Sequence, residues 1–427
     1  MNNTKIRLIV MNFLQYFVWG GWMITMGNYW FDTKQWGSVE FGAIFSTMGI
    51  ASIFMPTICG IISDRWINTE KLYGILHTLC GLTFISLPFI DSPVTFFWVM
   101  LIAMFFYMPT IPLANSIAYN VLDRYKLDTV KDFPPIRVWG TVGFIVAMWV
   151  TNLSGNKASE NQFFIAGIAA ILLGFYAFFT LPKCPPQNTS SKGKSFVHLL
   201  GLDAFKLFKN KKMAIFFLFS MLLGAALQLT NAYGDTFLND FGKIAEYQDS
   251  FVVKYSTIIL SISQISETLF ILAIPFFLKR FGIKNVMLMS MTAWVFRFGL
   301  FAYGDPVGGL WMIILSCIVY GMAFDFFNIS GSLFVEKHTD AKIRSSAQGL
   351  FTMMTNGFGA ILGSWTSGLI IQEFFLRADG SKDWHGIWLA FASYALVVTI
   401  LFAITFKYDY KKELEKEEKG LSPKITD

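Results

Sequence analysis

Charge is scarce in this chain. Only 15% of its 427 residues are Asp, Glu, Lys or Arg, against about 25% in an ordinary soluble domain. Histidine is scarcer still, with four residues, and the four cysteines are scattered without CxxC spacing: Cys59, Cys80 and Cys317 lie in apolar runs and Cys184 in a central loop. A disulfide framework, a metal centre and His- or Cys-based catalysis are therefore not expected, and neither is a cofactor or an enzymatic activity. Nor is a cleavable leader expected. MNNTKIRL carries two cations and runs straight into the Trp-rich stretch 13–31 with no small-residue cleavage site, so it reads as the start of a first span.

What is abundant is apolar sequence: 54% of residues are hydrophobic and 17% aromatic, with a mean hydropathy of +0.52. Crossing a hydrocarbon core takes about 20 apolar residues in a helix, and backbone polar groups in lipid leave the helix as the natural form for such runs. About twelve runs of that length occur, near 9–30, 39–62, 71–90, 95–119, 133–153, 161–181, 213–238, 255–278, 284–303, 310–335, 345–372 and 384–406. The expected fold class is an all-α membrane protein of twelve transmembrane helices in two pseudo-symmetric six-helix halves. Placing the N-terminus inside puts most of the 34 lysines and arginines in cytoplasmic segments, which sets both termini in the cytoplasm. The net charge of +6 then serves orientation. It gives no ground for a nucleic-acid partner.

The expected organisation is an N-terminal bundle over 1–182, a cytoplasmic linker over 183–212, a C-terminal bundle over 213–407 and a charged tail over 408–427. The linker contains LLGLDAFKLFKN, whose apolar residues at helical spacing alternate with lysines, as in an amphipathic helix lying on the inner leaflet. Two short matches relate the halves. Ser63, Asp64, Arg65 and Trp66 after the second run correspond to Leu278, Lys279, Arg280 and Phe281 after the eighth, and Ile136-Arg137 with Phe144 correspond to Ile343-Arg344 with Phe351. Their equivalent places suggest a duplicated transporter, with substrate bound between the halves near the midplane. The acidic-basic pair Asp64 and Arg65 is similar to a loop signature of the major facilitator superfamily. At a helix end it suits a conformational latch, or an ordinary topology signal.

An ionisable side chain at bilayer depth costs roughly 2.5–3.5 kcal/mol even on the gentlest scale, so those present mark function. Gln228 and Asn231 in the seventh run, and Gln264 and Glu267 in the eighth, are each three apart and share a helical face. In the tenth run Tyr320 and Phe324 are four apart with Asp325 adjacent, and in the fifth Arg137, Thr141 and Phe144 form an i, i+4, i+7 stripe. Amides, carboxylates and a guanidinium suit a neutral, hydroxyl-rich ligand, and the rings offer faces to stack on. A nucleoside needs both surfaces, and so does a sugar. Arg137 follows Asp132, Pro134 and Pro135, which read as a helix start, so it sits early in its helix. Arg297 lies nearer the outer end of its span, placed to snorkel or to pair with a carboxylate, and stays outside the expected site.

Five stretches carry a family resemblance: DFPPIRVWGTVGF (132–144), KNKKMAIFFLFSMLLGAALQLTN (209–231), SISQISETLFILAIPFF (261–277), VYGMAFDFFNISGSLFVEK (319–337) and SAQGLFTMMTNGFG (346–359). They resemble the nucleoside:proton symporter family, over nearly the whole chain. The resemblance implies a major facilitator fold and proton-coupled import of purine and pyrimidine nucleosides across a bacterial inner membrane. It implies that Arg137, Thr141, Phe144, Gln228, Asn231, Gln264, Glu267, Tyr320 and Phe324 contact the nucleoside, with Asp325 alongside. Glu267 and Asp325 are the expected proton carriers, nucleosides, protons and the bilayer the expected partners, and a monomer the expected state. A proton-coupled sugar or polyol permease is the alternative within transport, and a non-transporting nutrient sensor lies outside it.

Overall fold

The computed structural model describes residues 3–127, 129–186, 202–339 and 343–408. Among them the regular structure is helical, apart from one antiparallel bridge between Leu376 and Lys382. The principal helices among the described residues are α1 Asn3–Gly20, α2 Ser38–Arg65, α3 Thr69–Ser86, α4 Pro93–Tyr107, α5 Thr110–Arg124, α6 Thr129–Leu153, α7 Asn161–Thr180, α8 Lys211–Asp240, α9 Ser256–Tyr303, α10 Leu310–Ala323, α11 Asp325–His338, α12 Arg344–Thr352, α13 Ala360–Phe374 and α14 Trp384–Thr405.

Nine helical stretches among the described residues are long and apolar enough to cross a membrane. One, α9, is 48 residues long and holds two helices merged across Gly282, whose φ of 74° and ψ of 167° only glycine adopts readily. The interrupted stretches 3–33 and 344–374 supply further spanning length, in agreement with twelve segments. Large apolar side chains face outward on these helices, Phe179 at 83% and Leu272 at 76% exposure among them. Water would penalise such a surface and acyl chains would not.

Several runs that hydropathy reads as single helices are broken. The first ends as an α-helix at Gly20, passes through a turn and a short helix Met26–Asn28, and closes with a π-turn, Tyr29–Thr33. The fourth breaks at Met108 and Pro109, where proline cannot donate to the preceding turn. The tenth breaks at Phe324, between α10 and α11, and the eleventh contains a π-turn, Met353–Gly359. The expected helix start at Pro134 and Pro135 lies inside α6, which begins at Thr129. The linker segment 202–209 is a 3₁₀ helix, not the α-helix its spacing suggests, and 187–201 and the tail 409–427 lie outside the described residues.

By contacts the chain divides into two compact units: Met1–Lys194 with Asn231–Ser261 and Ser364–Leu369, and Ser195–Thr230 with Ile262–Gly363 and Ile370–Asp427. These units are not the two chain-order halves, because the end of α8, the start of α9 and a turn of α13 group with the first. In the first unit a core of Leu8, Met11, Tyr73, Leu76, Ile117, Val121, Leu173 and Ala177 joins α1, α3, α5 and α7. α3 and α7 approach backbone to backbone through paired glycines. A Cβ on Gly81 would lie 2.5 Å from the Gly167 carbonyl and one on Gly174 2.9 Å from that of Gly74, the small-residue packing expected where lipid supplies no hydrophobic drive. The second unit includes a cluster of Ile274, Val286 and Phe326.

Candidate functional site

In the first unit the i, i+4, i+7 stripe of α6 is present as expected, with Arg137 and Thr141 half-buried and Phe144 buried. The Arg137 guanidinium stacks on Tyr16 of α1, its Cζ 4.1 Å from the ring centroid. Cation–π contact of this kind holds the plane of the fork without using up its N–H donors. Gly140 makes the room: a Cβ there would sit 2.6 Å from Tyr16 Cδ2 and 2.7 Å from Arg137 Nη1. Gly20 and Gly143 bring the two helices into backbone contact beside Phe144. Tyr16 escaped the sequence reading because an aromatic among aromatics carries no signal of its own.

Three amides of α1 and its extension have internal tasks. Gln15 is fully buried and donates from Nε2 to Thr110 Oγ1 at 2.9 Å, while its Oε1 accepts from Tyr73 OH at 2.6 Å and lies 2.8 Å from His77 Nε2. Because that oxygen can only accept, His77 is the Nε2–H tautomer. Asn12 donates to the Leu8 carbonyl at 2.9 Å, and Asn28 to Asp235 at 2.6 Å. Asn231, next along α8, is half-buried.

In the second unit, Gln228 and Gln264 each carry a buried Oε1 that accepts no hydrogen bond from the described residues. Buried acceptors of this kind are almost always satisfied by protein, water or ligand. Glu267 is half-buried; Tyr320 and Asp325 are buried; Phe324 is half-buried at the break between α10 and α11. The helices bearing these residues touch. Ser266, between Gln264 and Glu267, donates from Oγ to the Ile318 carbonyl at 2.5 Å. Gly321, beside Tyr320, has no room for a Cβ, which would lie 2.5 Å from the Ser266 backbone.

Arg297 departs from its sequence expectation. Among the described residues it neither snorkels nor pairs with a carboxylate: it is 2% exposed, and its hydrogen-bond partners are Thr230 Oγ1, Ser263 Oγ and the Ser316 carbonyl. Its guanidinium also lies 4.8 Å from the centroid of Tyr320. The signal was available, since an arginine within a span is functional by default.

Asp64 and Arg65 end α2, Asp64 exposed and Arg65 half-buried, and among the described residues no ion pair reaches Asp64. A cleft of about 300 Å³ on the second unit, lined by Asn328, Ser332, Gln348, Phe351 and neighbours, contains none of the expected site residues. No cluster of three or more metal-ligating side chains occurs among the described residues.

The model of the family described as "Nucleoside H+ symporter" matches residues 1–411. The chain is 53% identical to xanthosine permease of Escherichia coli (strain K12), covering 96% of this chain and 98% of the relative. It is 51% identical to nucleoside permease NupG of the same strain, covering 96% and 97%. A crystal structure of nucleoside transporter NupG matches with a TM-score of 0.88 at 50% identity, covering 96% of this chain and all of that one, and a mutant form matches with 0.91. A POT family transporter in complex with a thioalcohol-conjugated peptide, at 15% identity and a TM-score of 0.68, shares the fold alone. With a major facilitator fold and likeness over nearly its full length, this chain belongs to the nucleoside H+ symporter family and is a transporter that couples nucleosides to protons.

Proposed function

We propose that the chain imports purine and pyrimidine nucleosides with protons across a bacterial inner membrane, by alternating access, as a monomer with both termini in the cytoplasm. The observation that carries the reading is the pair of buried amide oxygens, on Gln228 and Gln264, to which none of the described residues donates. Ribose hydroxyls and base N–H groups are donors of the kind these oxygens lack, and a neutral ligand adds no charge to be buried with them.

In this reading Gln228, Asn231, Gln264 and Arg137 hold the polar edge of the nucleoside, Thr141 adds a hydroxyl, and Glu267 accepts from a ribose hydroxyl. Phe144, Tyr320 and Phe324 contact the base or the sugar face. Glu267 and Asp325 carry the proton, and Asp64 with Arg65 latches one state. Coupling follows if the proton and the nucleoside each favour the other's binding, a linkage that must be reciprocal. Xanthosine joins uridine and adenosine among the substrates to try, since a relative 53% identical is named for it.

The test is uptake of labelled uridine by a transporter-deficient bacterium expressing the chain. An imposed inward proton gradient is expected to drive accumulation that a protonophore abolishes, with competition by adenosine and xanthosine and none by lactose or xylose. Accumulation indifferent to the gradient removes the coupling, and competition by sugars alone removes the nucleoside. Replacing Glu267 by Gln is expected to impair accumulation severely, and a normal rate in that variant takes it out of the essential set.

A further inference from the structure

Arg297 sits at a junction. Its Nε and Nη2 donate to Thr230 Oγ1 of α8 at 3.1 and 2.9 Å, and its Nη1 to Ser263 Oγ in the first half of α9 at 3.3 Å and to the Ser316 carbonyl of α10 at 2.9 Å. Ser316 Oγ returns a bond to the Arg297 carbonyl at 2.8 Å. The guanidinium carbon lies 4.6 Å from the ring centroid of Phe301 and 4.8 Å from that of Tyr320. Trp294, one turn before Arg297, meets Tyr320 edge-on at 5.8 Å.

Each anchor abuts a residue of the proposed site. Thr230 lies between Gln228 and Asn231, Ser263 precedes Gln264 and lies one turn from Glu267, and Ser316 lies one turn before Tyr320. We infer that Arg297 is a positioning residue of the nucleoside site: its fork fixes the rotation and height of three substrate-bearing segments relative to one another, and its faces fix the Tyr320 ring.

The choice of arginine follows from the work. A planar fork of five donors can reach three helices at fixed angles, whereas a lysine offers one point of attachment on a mobile stem. Weak hydration and ring faces make the guanidinium the cation that tolerates burial without a carboxylate. No carboxylate pairs with it among the described residues. A purely structural cross-link between three helices would need no charge, since hydroxyls and amides serve at lower desolvation cost. The buried charge therefore points to a requirement for the fork and for a fixed positive field beside Tyr320.

The inference rests on the proposed nucleoside site, and uridine uptake kinetics separate the two. Arg297→Lys, at membrane amounts matched to wild type, is expected to raise the KM for uridine about ten-fold or more, the loss that goes with a charge-assisted hydrogen bond, with a smaller change in maximal rate. Thr230→Val and Ser263→Ala, each removing one acceptor, are expected to raise KM in the same sense, and Thr230→Ser, which keeps the hydroxyl, to restore it to within about two-fold. If Arg297→Lys does not reach the membrane, the two acceptor variants decide. Wild-type KM in them, or in Arg297→Lys with only its melting temperature lowered, makes Arg297 a stabilising cross-link and overturns the inference while leaving nucleoside transport standing. If wild type itself takes up no nucleoside, the proposed function falls, and the inference falls with it.

Discussion

Asn28 Nδ2 donates to Asp235 Oδ2 at 2.6 Å, joining residues 207 positions apart within one compact unit. The second carboxylate oxygen accepts from Thr257 Oγ1 at 3.0 Å, and Asp235 is 1% exposed. Beside Asn28, Gly27 leaves no room for a Cβ, which would fall 2.0 Å from Thr236 Oγ1. Here the short Met26–Asn28 helix, α8 and the start of α9 are cross-linked by neutral donors on a buried carboxylate. Asp235→Ala strands an amide and a hydroxyl, at about 1–3 kcal/mol each, and is expected to lower the thermal midpoint in detergent by several degrees. Asp235→Asn is expected to cost less, because the Asn28 amide can turn its Oδ1, which no described residue reaches, toward the new donor. Equal midpoints for wild type and Asp235→Ala would show that the cross-link does not matter.

Gly143 tests how closely α1 and α6 must meet. A Cβ at this position would lie 2.0 Å from the backbone carbonyl of Phe13, and backbone cannot swing aside as a long side chain can. Gly143→Ala is expected to push the helices apart, displacing Phe144 and the Arg137–Tyr16 stack, and to cost about 1–3 kcal/mol from overpacking. Reduced membrane yield and a lower melting temperature are the readouts. Gly60→Ala, where a Cβ meets nothing within 4 Å, is the control, and similar losses in both variants would contradict the argument.

Much of this was readable from residue order alone, for a physical reason. The bilayer rewards length and apolarity, so spans declare themselves, and it penalises polar groups at depth, so Gln228, Gln264, Glu267 and Arg137 stand out against their runs. What the order of residues hides is tertiary. The break at Phe324 has no proline to announce it, and the π-turn at Met353–Gly359 sits in an unremarkable stretch. The fate of Arg297 depended on the hydroxyls of Thr230 and Ser263 and the backbone carbonyl of Ser316, brought together from three helices and too common to single out. Nor does hydropathy show that 231–261 packs with the N-terminal helices, because contact partners leave no periodicity.

Cys184 gives a pH dependence outside the spans. The residue is 1% exposed, its amide donates to Glu70 Oε2 at 2.7 Å, and its carbonyl accepts from Thr69 N at 2.9 Å. Burial, reinforced by the Glu70 carboxylate and opposed by Arg124, pushes the thiol up to about 12 from its usual 9.0. The thiol form belongs to the fold, so its contribution to stability is full below pH 9 and is lost as pH rises toward about 12. In a variant retaining Cys184 as its single cysteine, maleimide labelling of folded protein at pH 8 is expected to run about a thousand-fold slower than after denaturation. Labelling at comparable rates in both states would refute the shielding.

The stack of Arg137 on Tyr16 separates a ring face from a hydroxyl. Among the described residues the guanidinium makes no ion pair, and the ring lies 4.1 Å below it, so the face of Tyr16 sets where the N–H donors point. A cation–π contact of this kind is worth about 0.5–2 kcal/mol. If Arg137 contacts the nucleoside as proposed, Tyr16→Ala loses that orientation and is expected to raise the KM for uridine about two- to thirty-fold. Tyr16→Phe keeps the face and is expected to stay near wild type. Comparing the two at equal membrane amounts isolates the face, since both lack the hydroxyl. A KM raised equally in both would assign the effect to the hydroxyl, and a KM raised in neither would mean that the guanidinium finds its position without the ring.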